Sequence, residues 1–321
     1  MRRPFLKFPA LLLAMSLSFV ACNEDDDPYR NPANTDNTNS NATRYFSGVT
    51  ENSKTTDIHQ VSTRLEIPQL RGGANDLFIV HTVPTYGINY CMEYDCSLRA
   101  QRWSAFRWDS KTIAKAVTRT DAWLADPLIP SEYQTDQSDY SGSGYTRGHI
   151  VASEDRVYSQ AANEQTFYYS NMHPQLYSFN TEGVWWDIEN KLIRNRYCNF
   201  DINKTSYFCD TLYVVKGGTT GEGQYTWVKG RSNRLLCPKY FFVALLRKSS
   251  KDLTQGGYAA IGFWMEHKNN DSSYTAYNYT PYALSIKDLE AKTGLDFFCN
   301  LPDDIEKQVE SNLVLSTWGL R

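Results

Sequence analysis

The stretch from Tyr145 to Arg196 gathers residues with the means for phosphoryl chemistry: Thr146-Arg147-Gly148-His149, then Ser170-Asn171-Met172-His173-Pro174-Gln175, then Phe179-Asn180, with Glu182 and Glu189 beyond. Taken singly each is a weak signal, since a lone His beside an Arg is more often structural than catalytic. Together they offer what hydrolysis of a phosphodiester requires: a base for water, a metal for the leaving oxygen, and cations for the charge of the phosphorane. A neutral imidazole, of ordinary pKa ~6.5, accepts water's proton near neutral pH. An Asn oxygen is a hard ligand suited to Mg²⁺, which keeps several of its waters. Arg147 can grip phosphate oxygens as a fork, and Gly148 beside it lets a backbone approach closely.

The elements that must position these residues are mostly strands. Runs rich in β-branched and aromatic residues recur at 77–83, 104–108, 212–215, 240–246 and 259–265, which suggests a central, largely antiparallel sheet. Helical patterns are fewer. The clearest begins near Glu182, where Val184, Ile188 and Leu192 recur at every fourth position and Trp185 widens the stripe. Others lie around 159–166 and 285–289. The mixture reads as α+β, with helices flanking a mostly antiparallel sheet. Gly142-Ser143-Gly144 reads as a flexible turn, and so does Gly217-Gly218, which lacks the lysine of a phosphate loop.

The N-terminus has a basic start, Arg2-Arg3, an apolar run from Ala10 to Val20, and then Ala21-Cys22. This is the pattern of a secretory signal, and the run falls short of the ~20 apolar residues of a spanning helix. Ala21-Cys22 resembles a bacterial lipoprotein cleavage site, although Phe19 departs from the smaller aliphatic usual there. The resemblance implies a signal peptide over 1–22, a lipid on Cys22 that holds the chain to a membrane, and a cell-envelope location. The acidic run Asn23-Glu24-Asp25-Asp26-Asp27 resembles a surface-export signal, and residues 23–60, rich in Asn, Thr, Ser and Asp, read as a disordered tether. A single domain then occupies 61–321.

Export implies disulfides among the remaining cysteines. Proximity favours Cys91 with Cys96 and Cys198 with Cys209, leaving Cys237 for Cys299. The net charge of -3 runs against a nucleic-acid binder. Part of it belongs to the acidic tail, and an enzyme needs only a local basic cleft.

Taken together, the segments Arg147-Gly148-His149, Ser170-Asn171-x-x-Pro174-Gln175 and Asn180 before a helix resemble the DNA/RNA non-specific endonuclease family of ββα-metal (His-Me finger) nucleases. The likeness extends to Arg119 before Ala125-Asp126-Pro127, to Pro238-Lys239-Tyr240-Phe241, and to Leu301-Pro302-Asp303-Asp304, so it covers roughly 83–310. It implies a ββα finger, an Mg²⁺ cofactor with substitution by Mn²⁺ left open, DNA and RNA as substrates, and 5′-phosphorylated products. His149 is then the general base and Asn180 the direct metal ligand. Glu189 holds the metal's waters, Arg147 and Arg119 contact the scissile phosphate, and Asn171 orients His149 or its strand. Thr146 departs from the Asp usual before Arg-Gly-His, and an extra residue between Asn180 and Glu189 makes Glu182 a rival of Glu189 on the same helical face.

His173 could join the metal but reads better as structural, while His81 and His267 have no partner pattern. Glu154-Asp155-Arg156 reads as local ion pairs. Two alternatives remain open: a surface lipoprotein that binds nucleic acid without cutting it, and a phosphodiesterase of narrower substrate range. No protein partner is implied, and a dimer is compatible with the sequence.

Overall fold

Runs of apolar side chains build one large sheet. In chain order its strands and their neighbours are β1 (Val49–Glu51), β2 (Asp76–Val83), β3 (Gly87–Asp95), β4 (Ala100–Trp108), β5 (Thr146–His149), β6 (Met172–Gln175), β7 (Thr211–Gly218), β8 (Tyr225–Trp227), β9 (Leu236–Pro238), β10 (Tyr240–Lys248), β11 (Tyr258–Glu266) and β12 (Ala283–Leu284). Eight of them form the main sheet in the order β1-β2-β3-β4-β7-β10-β11-β12. β1 runs parallel to β2, and the other neighbours are antiparallel. β5 pairs with β6, and β8 with β9, in separate two-stranded sheets. The computed structural model describes residues 37–43, 49–51, 58–252, 254–269, 271 and 274–321, all within the unit Thr35–Arg321.

The main sheet is covered on both faces, so its strands read as continuous apolar runs. In β10, Phe241, Val243 and Leu245 face one core, with Trp185, Ile188 and Leu192, whereas Phe242, Ala244 and Leu246 face the other, with Ile286, Leu289 and Val309. The second core lies under α6 (Ile286–Thr293) and α7 (Asp303–Ser311), the last α-helices among the described residues. The earlier ones are α1 (Ile58–Ser62), α2 (Gln137–Tyr140), α3 (Gln160–Gln165), α4 (Tyr177–Thr181) and α5 (Val184–Asp187). Ser159 and Ser285 cap α3 and α6 by accepting from Ala162 N and Asp288 N, which bears out both expected helices. Gly142 and Gly144 have positive φ, as a turn there requires.

Several expectations need correction. The helix expected from Glu182 is divided: α4 ends at Thr181, Gly183 caps α5, and a π-helix continues over Ile188–Tyr197. A Cβ on Gly183 would sit 2.8 Å from Ser178 O, so the junction needs glycine. Glu182 and Glu189 therefore do not share a helical face; Glu182 is exposed and Glu189 buried. Gly217-Gly218 is not a turn but the end of β7, where a Cβ on Gly217 would stand 2.6 Å from the Phe242 ring.

The expected disulfides are absent among the described residues. Cys91 and Cys96 are an odd number of residues apart and fall into opposite cores, consistent with the alternation of a strand. Cys237 packs with Tyr140 and Met172, whereas Cys299 lies beside Ile67 and Asn41. Cys198 and Cys209 share a core as thiols. Nearness in sequence lowers the entropy of closing a loop, but it does not set the geometry a disulfide demands.

Parts of the expected tether belong to the domain. Asn41 is fully buried, donating to Ser62 O at 2.9 Å and Pro68 O at 3.0 Å while accepting from Leu70 N. Asn37 donates to Cys299 O and Leu301 O. The signal segment 1–22, the lipid site Cys22 and the acidic run 23–27 lie outside the described residues.

Candidate active site

β5 and β6 pair antiparallel, Gly148 opposite His173 and His149 opposite Met172, and α4 follows one residue after β6. This ββα unit carries Arg147, His149 and Asn180. The pairing is close because Gly148 has no side chain: a Cβ there would fall 2.1 Å from the Gln175 amide carbon. Asn171 clamps the chain that leaves β5. Its Oδ1 accepts from Val151 N at 2.9 Å, and its Nδ2 donates to Val151 O at 2.9 Å and Thr166 O at 2.8 Å.

His149 packs edge-on against Trp123 and Phe167, ring centroids 5.4 and 5.0 Å away. The same two rings carry the arginines. The Arg147 guanidinium carbon lies 3.6 Å from the centre of Trp123, and that of Arg119 lies 4.6 Å from Phe167. The fold thus brings Arg119, distant in sequence, to the same aromatic pair that holds Arg147 and His149. Arg147 Nη1 also donates to Gln137 Oε1 at 2.6 Å, and no carboxylate pairs with it among the described residues. Arg119 also forms an exposed pair with Asp121, which is worth little in water. An open groove of about 1000 Å³ runs past Arg119, lined by Lys115, Val117, Glu154 and Glu164.

Burial pushes the His149 imidazole down to about 3, and the Arg119 guanidinium adds to the push. The ring is therefore neutral at physiological pH. Its Nε2 is shielded from solvent and has no hydrogen-bond partner among the described residues.

Asn180 is oriented by the residue that departs from the family pattern. Thr146 Oγ1 donates to Gln175 O at 2.8 Å, which leaves the hydroxyl oxygen to accept from Asn180 Nδ2 at 3.0 Å. The amide nitrogen thus faces Thr146, and the carbonyl oxygen is the atom left for a ligand.

Glu189 lies on the π-helix, buried in a charged network. Lys216 Nζ donates to Glu189 Oε1 at 2.6 Å and to Asp155 Oδ2 at 2.8 Å, while Arg194 Nη2 donates to Asp155 Oδ1 at 2.6 Å. Burial raises the Glu189 carboxyl against the pull of Lys216. Burial also opposes ionisation of Asp155, but Lys216 and Arg194 together draw it down to about 2. Asp155 therefore bonds across the fold, and Arg156 stacks on Phe106, 4.0 Å from its centre; neither forms the local pairs expected of this segment.

Three observations bear on a divalent cation here. Among the described residues, the Asn180 carbonyl oxygen and Glu189 Oε2 accept no hydrogen bond, and both polar atoms of the fully buried Gln175 amide lack partners. Buried polar groups without protein partners are the ones that ordered or metal-bound water satisfies. The donor set is oxygen-rich and sparse, which fits a hydrated Mg²⁺. His173 is not part of it: the ring is buried, contacts Gln101 O at 3.2 Å, and is lowered to about 4 by burial.

Sequence reasoning missed Trp123, Phe167 and Lys216 as parts of the site. Only Lys216 left a signal, as the one charge in the apolar run of β7.

Comparison with known proteins agrees with this architecture. The profile of the DNA/RNA non-specific endonuclease family matches residues 78–304. The mitochondrial nuclease EXOG of Xenopus laevis is 28% identical over 232 residues, covering 68% of this chain and 58% of the relative. Its Homo sapiens counterpart is 31% identical over 229 residues, covering 66% and 56%. The chain thus spans less than two thirds of the length of these relatives. The structure of an EndoG/EndoGI complex superposes with a TM-score of 0.53 at 21% identity, covering 66% of this chain and 84% of that one, a likeness of fold.

Proposed function

This chain belongs to the DNA/RNA non-specific endonuclease family, and on that premise we propose that it hydrolyses internal phosphodiester bonds of DNA and RNA with little regard to sequence. The observation that carries the reading is the His149 ring, neutral and unpartnered at Nε2, on the same aromatic pair that holds Arg147 and Arg119.

His149, with its ring neutral, takes the proton of the attacking water. Arg147 and Arg119 bind the non-bridging oxygens of the scissile phosphate and gain strength as charge accumulates there. Trp123 restricts Arg147 to one orientation before substrate arrives, so little of its freedom is lost on binding. Asn171 keeps the exit of β5 fixed and with it the height of the imidazole. Asn180 and Glu189 would hold a hydrated Mg²⁺, directly and through its waters, and Mn²⁺ can take the same oxygen ligands. When bound, the ion neutralises charge on the phosphate and the leaving oxygen. Departure of the 3′ oxygen leaves 5′-phosphorylated products.

The acidic, export-type N-terminus supports a further part of the proposal: the enzyme is held at the cell envelope by a lipid on Cys22 and faces outward.

Incubation of supercoiled plasmid and of single-stranded RNA with the protein in Mg²⁺ or EDTA tests the function. Nicks and fragments should accumulate catalytically only with Mg²⁺, and His149→Ala should lose at least about 100-fold in rate. Retention of uncut nucleic acid by the wild-type protein would instead favour a binding lipoprotein. Cleavage confined to one small phosphodiester would favour a narrower phosphodiesterase.

A further inference from the structure

We infer that His267 is a positioning residue for Asn180, setting α4 against the main sheet so that the amide carbonyl is held where a cation can take it. The inference rests on the reading of Asn180 as metal ligand.

α4 has five residues, too few to stand alone in water. Its N-cap, Leu176, has no side chain able to cap the first turn, where backbone N–H groups need partners. The Leu176 N–H donates to His267 Nε2 at 2.8 Å. On the other side of the ring, Nδ1 lies 2.9 Å from Pro238 O, and a carbonyl only accepts, so Nδ1 carries the proton and Nε2 the lone pair. Cys237 Sγ stands farther off, 3.7 Å from Nδ1. Burial lowers the ring to about 4, which keeps the lone pair in place at neutral pH.

The ring also touches α4 one residue from Asn180. It packs edge-on against Phe179 at 5.1 Å and against Phe241 of β10 at 5.1 Å. The histidine is itself fixed, since His267 N donates to Lys239 O at 2.8 Å directly after β11. One imidazole thus joins β10, β11 and β9 to both ends of the turn that presents Asn180. Among the described residues, the other side-chain links of α4 to its surroundings are the Asn180–Thr146 bond and an exposed Ser178–Asn269 bond of 2.7 Å. Groups that orient a metal ligand in this way are commonly worth 10–100-fold in metal affinity.

The pair His267→Gln and His267→Asn separates positioning from bulk packing. The Gln amide reaches the place of Nε2 and can accept from Leu176 N–H. The Asn amide stays at the place of Nδ1, keeps Pro238 O, and leaves Leu176 unpartnered. Free Mn²⁺ measured by electron paramagnetic resonance, without substrate, gives the affinity of wild type, both variants and Asn180→Ala, and thermal melts in EDTA report the fold. Expected is a Kd raised about 10–100-fold in His267→Asn, with most of it restored in His267→Gln, although the melts of both fall alike. Equal Mn²⁺ affinity in the two variants, whether wild-type or weakened, overturns the inference. Wild-type affinity in Asn180→Ala overturns the ligand reading first, and the inference falls with it.

Discussion

Asn180 Nδ2 donates to Thr146 Oγ1 at 3.0 Å, so the threonine keeps the alignment of the amide although it lacks the negative charge of the usual aspartate. Thr146→Val removes the acceptor and should weaken Mg²⁺ binding about tenfold. Thr146→Asp keeps an acceptor and adds a charge, which should tighten Mg²⁺ binding and raise the His149 pKa. Metal titrations of the two variants check this, and a weaker site in Thr146→Asp would contradict it.

The stacking of Arg147 on Trp123, at 3.6 Å, makes a second expectation. Trp123→Leu leaves the guanidinium in place chemically but unrestrained. Because a cation on an aromatic face gains roughly 0.5–2 kcal/mol, steady-state kinetics should show kcat/KM reduced by about 2- to 30-fold, less than in Arg147→Ala. A loss equal to that of Arg147→Ala would mean that the indole has a further role.

The pH dependence follows from burial of His149. A base at His149 acts only when neutral, and the pKa of the ring is lowered to about 3. Protonation therefore sets in only as pH falls toward that value, and activity is retained above it. The acid limb of kcat/KM should lie below about pH 5, rather than near the ~6.5 of a free imidazole. A limb at 6.5 would show that the ring is not shielded in the free enzyme.

Lys216 is buried between Asp155 and Glu189, at 2.8 and 2.6 Å. Lys216→Met leaves two carboxylates facing each other without their shared cation. Breaking a buried pair costs roughly 3–5 kcal/mol, so urea denaturation at neutral pH should show a loss of that size. A loss under about 1 kcal/mol, the scale of an exposed pair, would contradict the buried network.

What the sequence made legible was local. The β10 run from Tyr240 is apolar on both faces, which marks a strand covered on both sides, and Arg147, His149, Asn171 and Asn180 sit within one short ββα unit. Trp123 lies in an irregular segment with no periodicity to betray it, and its contact with His149 exists only once the chain has folded. The helix after Asn180 was visible as an apolar stripe, but a π-helix has no residue pattern of its own. Its partner contact, Glu189 with Lys216, joins positions far apart in sequence. β3 escaped because Asn89, Glu93 and Asp95 interrupt its apolar run, and those polar groups are buried with specific partners or beside a cavity. The cysteines misled for the opposite reason, since nearness along the chain said nothing of which face each would occupy.

Chemical rescue tests the base role of His149 most directly. His149→Gly, assayed on supercoiled plasmid with Mg²⁺, should be nearly inactive and should regain activity as imidazole is added, in proportion to its unprotonated fraction across pH. Full activity of His149→Gly without imidazole would contradict the account, because the water's proton would then go elsewhere.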